Sequence, residues 1–204
     1  RLVLNYASFA FSGAVLAPLR LHDVHWDAIF VFQTSPITAA LPALLLRKLK
    51  DTPVLLWVLD LWPESLSAVG AVRSPQILDA VGRLVSFTYK RCDLILAQSR
   101  AFFANIERWA GDTRRVRYFP GWAEAVFADG TNVDLAPELS PWQGCFKVLF
   151  AGNIGEAQDF PAILDAAERL RDREDIHWIV LGDGRAAPAV KEQIERRGLS
   201  ERVH

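Results

Sequence analysis

The sequence predicts an α/β protein of two parallel-sheet domains, and three observations carry that prediction. Short apolar runs without alternation recur along the 204 residues: AIFVFQ (28–33), VLLWV (54–58), LILAQ (94–98), FKVLFA (146–151) and HWIVL (177–181). Runs of this length, rich in strand-favouring residues, belong to strands buried on both faces of a parallel sheet. Between most of them lie segments with apolar residues at helical spacing. From residue 122 to 144 the alternation dissolves into Gly, Pro, Asp, Asn and Ser with no sustained period, which is the composition of an interdomain linker. The expected organisation is a first parallel-sheet domain over residues 1–121, a linker over 122–144 and a second domain over 145–204.

Taken in order, residues 6–21 (YASFAFSGAVLAPLRL) are apolar on nearly all sides, which predicts a helix buried on most faces rather than one lying on a membrane. The strand at 28–33 passes through Thr34, Ser35 and Pro36 into a helix over 37–49. Arg47, Lys48 and Lys50 close that helix at the end its dipole makes negative. Residues 28–46 approach membrane-spanning length, but Gln33, Thr34, Ser35, Pro36 and Pro42 interrupt them. A loop at 70–75 precedes an amphipathic helix over 76–91. Ser99 is placed to cap a helix over 101–110, whose Phe102, Phe103, Ile106 and Trp109 form an inward stripe. A strand at 116–119 ends at Pro120 and Gly121. In the second domain, helices are expected over 160–170 and 187–197.

Composition narrows the function classes. With 51% hydrophobic and 23% charged residues, the chain can bury a substantial core. A formal net charge of -1 and the lack of a long basic run give no electrostatic case for nucleic acid. Cys92 and Cys145 are too few and too separated for a disulfide framework or a zinc site, and they fit a reducing cytoplasm. The chain has no Met, opens at Arg1 and stops at His204 as a new strand begins, so it reads as a fragment lacking both ends of a longer protein.

The chain is organised around VLLWVLDLWPES (54–65). In open α/β sheets, ligands sit outside the carboxyl ends of the strands, which is where Asp60, Trp62 and Glu64 fall. Pro63 suits a helix start and puts Glu64 in the first turn. Each residue also has a plain structural role open to it: Asp60 as a turn cap, Trp62 as packing, Glu64 as a complement to the helix dipole. Two glycine loops mark the second domain, GNIG at 152–155 and GDGRAA at 182–187, each after a strand. Glycine there lets backbone N–H groups approach an anion at a helix start, although tight turns use glycine for conformation alone. GDGRAA matches the G-x-G-x-x-A spacing of a dinucleotide fingerprint. It follows the second strand of its domain rather than the first, so that reading is set aside.

Taken together, NYASF at Asn5, QTSP at Gln33, DLWPES at Asp60, PGWAE at Pro120, LFAGNIGEAQ at Leu149 and VLGDG at Val180 resemble, in this order, the motifs of GT4-type bacterial glycosyltransferases, and among them the WbuB-like group. The resemblance covers the whole chain. It implies a GT-B fold, in which two Rossmann-like domains face a cleft. It also implies retaining transfer without a metal or other cofactor, from a nucleotide sugar such as a UDP-sugar. The transferred group would be an acetamido sugar, passed to a lipid-linked or glycan acceptor in lipopolysaccharide or capsule assembly, in the cytoplasm or peripherally on the inner membrane face. By position, Gly152, Asn153, Gly155 and Gln158 would border the donor diphosphate, and Gly182, Asp183 and Gly184 the nucleoside. Asp60 and Glu64 would be the catalytic carboxylates, with Ser35, Trp62 and Trp122 on the acceptor side.

The sequence departs from the family where Leu59 precedes the aspartate, where Gly121 stands in place of Asn, and where Asn153 and Gln158 occupy the places of basic residues. A transferase needs negative charge on the leaving diphosphate stabilised, and it needs a partner for the acceptor hydroxyl proton. Rival readings are a sugar-nucleotide epimerase on the same plan and a non-catalytic partner binding nucleotide sugar or glycan.

Overall fold

The computed structural model describes residues 2–125 and 136–204, and the middle of the expected linker falls outside them. The chain divides into two compact units, Arg1–Glu124 and Ala125–His204. The division lies three residues beyond the expected boundary, because Trp122 stacks on Trp57 of the first sheet.

In the first unit, β1 (Ile29–Gln33), β2 (Val54–Val58), β3 (Leu94–Ala97) and β4 (Val116–Tyr118) form a parallel sheet in the order β1-β2-β3-β4. The register places Val31 beside Leu56, Leu56 beside Ile95, and Ile95 beside Val116. That face meets Ala43, Leu44, Val85, Tyr89 and Ile106 of the helices α2 (Leu41–Lys50), α4 (Pro75–Arg91) and α5 (Phe103–Ala110) in one buried cluster. The opposite face carries Phe30, Phe32 and Trp57. Trp57 is buried because Phe32, Phe119 and Trp122 close over its ring, and its Nε1 donates to the Phe119 carbonyl at 3.0 Å. Phe30 and Phe32 remain 51% and 56% exposed, so burial on both faces holds for β2 and fails for β1. Among the described residues β1 is an edge strand, with its outward aromatics flanked by β2 on one side.

The ends of three elements are tied at Asp93. Its carboxylate accepts from Arg47 Nε and Nη2, each at 2.7 Å, and from the backbone N–H of Val54 at 2.8 Å. The paired guanidinium holds Asp93 below the usual carboxylate range, and the Val54 N–H adds to the effect.

Two expectations are corrected. The helix expected over 37–49 is a 3-10 turn, Ile37–Ala40, followed by α2, because Pro42 lacks an N–H and suits a first-turn position, where the helix restarts. The first helix, α1 (Leu2–Arg20), is not buried on most faces. It docks on the 3-10 turn and α2 through small residues, with Gly13 against Pro42 and Ala10 buried. The opposite side leaves Leu4 and Phe11 each 74% exposed and Leu19 66% exposed. A flank of small side chains brings two helices close but encloses only a narrow strip.

The second unit pairs β5 (Phe146–Ala151) with β6 (Ile176–Leu181) in parallel, with α6 (Phe160–Arg169) and α7 (Ala187–Arg196) on one side. Trp178 bridges to Val203 in parallel sense, where the sequence begins a further strand. Leu149 and Leu181, on the outer face, are exposed. The expected linker contains a 3-10 turn over Pro137–Trp142, whose Trp142 stacks on His204 at 4.1 Å.

Candidate functional site

After β2 the chain leaves the sheet gradually: Leu59 N–H donates to the Gln33 carbonyl at 3.1 Å. Asp60 is half-buried, and its Oδ2 accepts from Trp62 Nε1 at 2.9 Å. Trp62 is 8% exposed and meets Tyr6 edge-on, with ring centroids 6.2 Å apart. Its ring is spent on the core and its N–H on Asp60, so packing accounts for it. The Trp62–Pro63 bond is cis, and α3 (Glu64–Ala68) begins immediately after it.

Glu64 turns toward α5. Its Oε1 accepts from Trp109 Nε1 at 3.1 Å and lies 3.6 Å from Arg108 Nη1, while Oε2 is buried with no partner among the described residues. It borders a recess of about 340 Å³ with Pro63, Ser67, Leu78, Asp79, Arg108 and Trp109. The two carboxylates of DLWPES are thus held separately, Asp60 by its own turn and Glu64 by α5. Sequence reasoning placed Trp109 in a core stripe and missed this bond. The signal available was the indole N–H, which needs an acceptor when buried. Ser35 is exposed just beyond β1, and Trp122 is 68% exposed, stacked on Trp57 at 5.5 Å.

In the second unit the two glycine loops extend the β5–β6 ladder against each other. Gly152 N–H donates to Leu181 O at 2.9 Å, Ile154 N–H to Asp183 O at 2.8 Å, and Ala186 N–H to Ile154 O at 3.0 Å. A Cβ on Gly182 would run into the carbonyl oxygen of Gly152, and one on Gly184 into that of Ile154. Gly182 and Gly184 are therefore required by the close approach of two backbones, whatever else binds there. Gly155 differs: a Cβ would meet only the side-chain ends of Asn153 and Gln158.

The helix start is also less direct than expected. A 3-10 turn over Glu156–Gln158 separates the loop from α6, and Asp159 takes a positive φ of 46° at the junction. Gln158 Oε1 accepts from Gly155 N–H at 3.1 Å, and Asp183 Oδ1 from Gly184 N–H at 2.7 Å. Both of these backbone donors are thus already engaged by side chains of their own loops. The one basic residue within the two loops is Arg185, exposed beside Gly184, which sequence reasoning passed over. Among the described residues no group of three or more His, Cys, Asp or Glu could hold a metal, and no helix is long and apolar enough to cross a membrane.

No family model matches the chain. It is 26% identical over 189 residues to WbjE of Pseudomonas aeruginosa, which bears a glycosyltransferase name, covering 91% of this chain and 46% of the relative. Over 88 residues it is 32% identical to WcaI of Escherichia coli strain K12, named for glycosyl transfer in colanic acid biosynthesis, covering 41% of this chain and 21% of that one. Its structure is similar to that of HepE from Anabaena in complex with UDP and glucose, with a TM-score of 0.68 at 15% identity, over 94% of this chain and 50% of HepE. It is also similar to S. aureus TarM, with a TM-score of 0.53 at 10% identity, over 94% of this chain and 36% of TarM. The fold is that of GT-B glycosyltransferases. Both sequence relatives bear glycosyltransferase names, while the structural neighbours bear on the fold alone. The chain spans about half the length of WbjE and HepE (46% and 50%).

Proposed function

We propose that the protein is a GT4-type, WbuB-like glycosyltransferase. It moves an acetamido sugar, with retention, from a UDP-sugar to a lipid-linked or glycan acceptor in lipopolysaccharide or capsule assembly. The observation that carries this reading is the interlocked pair of glycine turns at neighbouring strand ends of the second unit, in a chain whose fold is shared with HepE in complex with UDP and glucose. Backbone groups fixed in advance stabilise charge growing on a leaving diphosphate better than mobile ones, because nothing needs reorganising during reaction. The loop around Asn153, Gly155 and Gln158 borders the diphosphate, and Arg185 supplies the cation. In the first unit, Asp60 Oδ2 is held by Trp62, and Oδ1 is the oxygen that meets the acceptor hydroxyl.

The exposed apolar side of α1 is the surface that meets the inner membrane face, with Leu4, Phe9, Phe11, Leu16 and Leu19 outermost. Titration calorimetry with UDP tests the donor site. Binding is expected, and it weakens when Arg185 is replaced by Ala or Gly155 by Trp. Equal affinity in all three proteins overturns the placement. A transfer assay comparing UDP-N-acetyl sugars with UDP-glucose tests the donor class, and flotation with anionic vesicles tests the membrane contact.

A further inference from the structure

Two histidines of the second unit meet under the turn that precedes β5. His177 Nδ1 lies 3.0 Å from His204 Nε2, and the two rings stack with centroids 5.2 Å apart. Trp142, the last residue of the Pro137–Trp142 turn, closes over both, its ring centroid 4.1 Å from that of His204 and 5.9 Å from that of His177. Successive strand residues point to opposite faces, and Trp178 packs with α6 and α7, so His177 belongs to the outer face of the sheet. There it is only 9% exposed. The turn is closed by Gln143 N–H donating to Ser140 O and Cys145 N–H to Trp142 O, each at 3.1 Å, and Gly144 at a φ of +83° leads the chain on into β5. Three aromatic rings thus join the turn, β6 and the segment after α7 through direct contacts.

A hydrogen bond between two imidazoles needs one proton and one lone pair. A neutral pair supplies both, and so does a pair that has taken up one proton, whose charge an indole face tolerates well. When both rings are protonated no acceptor is left, and two cations face each other across 3.0 Å. The surrounding charges do not offset that second proton. Lys147 of β5 is in register with His177 and shares its face, its Nζ donating to the carbonyl of Cys145, whose thiol lies at the head of the same strand. Asp175, two residues before His177, is taken up by Arg173 at 2.8 Å. Lys191 and Glu195 of α7, one of each sign, border a recess that His204 also borders, and Glu138 of the turn is exposed. Burial first, and then His177, hold His204 below the ordinary imidazole value, with Glu201 opposing the shift and Arg202 adding to it. We propose that the Trp142–His204–His177 stack is a proton-operated latch, which seats the Pro137–Trp142 turn on the outer face of the second sheet and releases it when both imidazoles are protonated. Because His204 is depressed in the folded state, the latch is fully closed above its unfolded pKa of about 6.5 and weakens as pH falls below that toward the lower folded value. Release frees residues 137–144 from the sheet and opens His177 to water.

Two measurements on the complete polypeptide test the latch. The first is hydrogen exchange over residues 137–146, corrected for the chemical exchange rate at each pH. Protection should fall on the order of 10-fold between about pH 7.5 and about pH 5, the effect of losing one hydrogen bond and the stack above it. His204→Gln keeps a polar partner for His177 but cannot take up a proton, so its protection should be the same at both pH values. Wild-type protection that does not change with pH, or an equal fall in His204→Gln, overturns the latch. The second measurement needs no variant and decides the matter if His204→Gln does not fold. In histidine side-chain NMR of the wild type, the two rings should titrate as a coupled pair, in two steps with the lower one below about 6.5. Two independent single-site titrations overturn the proposal.

Discussion

Replacing Gly182 with Ala separates glycine used for packing from glycine used for a ligand. Gly182 has a φ of +151°, and a Cβ there would collide with the Gly152 carbonyl oxygen. Gly152 cannot retreat easily, because its own N–H is bonded to Leu181 O at 2.9 Å. Forcing an atom into a filled space costs about 1–3 kcal/mol. Holding a non-glycine residue in that backbone region costs on the order of 1–3 kcal/mol more. The sum, about 2–6 kcal/mol, corresponds in a unit of this size to a fall in melting temperature on the order of 10 °C or more.

Gly155→Ala is the control. Its φ of -127° suits any residue, and the new methyl would meet Asn153 Nδ2 at 2.7 Å and Gln158 Oε1 at 2.9 Å, both ends of side chains that can swing aside. Gly155 is half-buried, and because only side-chain ends must move, the change should cost less than about 1 kcal/mol. Near-ultraviolet circular dichroism on heating, read with calorimetry of UDP binding, distinguishes the two variants. A Gly182→Ala protein that melts with the wild type would refute the argument that backbone contact dictates this glycine.

Asp60→Asn should abolish most transfer while the melting temperature stays within a few degrees, because the Asn carbonyl oxygen can still accept from Trp62 Nε1; retained activity would return Asp60 to a capping role. Burial pushes the Cys92 thiol up to about 12, with Asp93 adding to the shift, so iodoacetamide at neutral pH should label Cys145 and leave Cys92 unmodified until unfolding; labelling of both in the native protein would contradict the buried core. Asp93 is depressed in the folded state, so its pairing with Arg47 stabilises above its unfolded pKa of about 3.9 and the gain is lost as pH falls through the lower folded value. Both partners are more than a third exposed, so the gain is at most about 1 kcal/mol. The stability gap between wild type and Arg47→Met should therefore narrow in acid, and a gap independent of pH would refute it.

Much of the fold is written locally. Apolar runs such as VLLWV and FKVLFA specify strands, Ser99 caps the helical segment that follows it with an oxygen 3.2 Å from Ala101 N, and the Gly and Pro positions mark turns, because each of these depends on residues within one or two turns of chain. For the same reason the DLWPES turn and both glycine loops could be placed at strand ends before any contact was known.

What each side chain does there depends on partners far along the chain. Glu64 is bound by Trp109, 45 positions away, and Trp57 is sealed by Phe119 and Trp122, more than 60 positions away. Periodicity shows that α1 and β1 are apolar but not which of their sides finds a cover, and it misjudged both. It also could not show that Gly182 and Gly184 are glycine because another loop's carbonyls pass so close. Burial, hydrogen-bond pairing and close backbone approach are properties of pairs of surfaces, and which surfaces meet is decided only when the whole chain has packed.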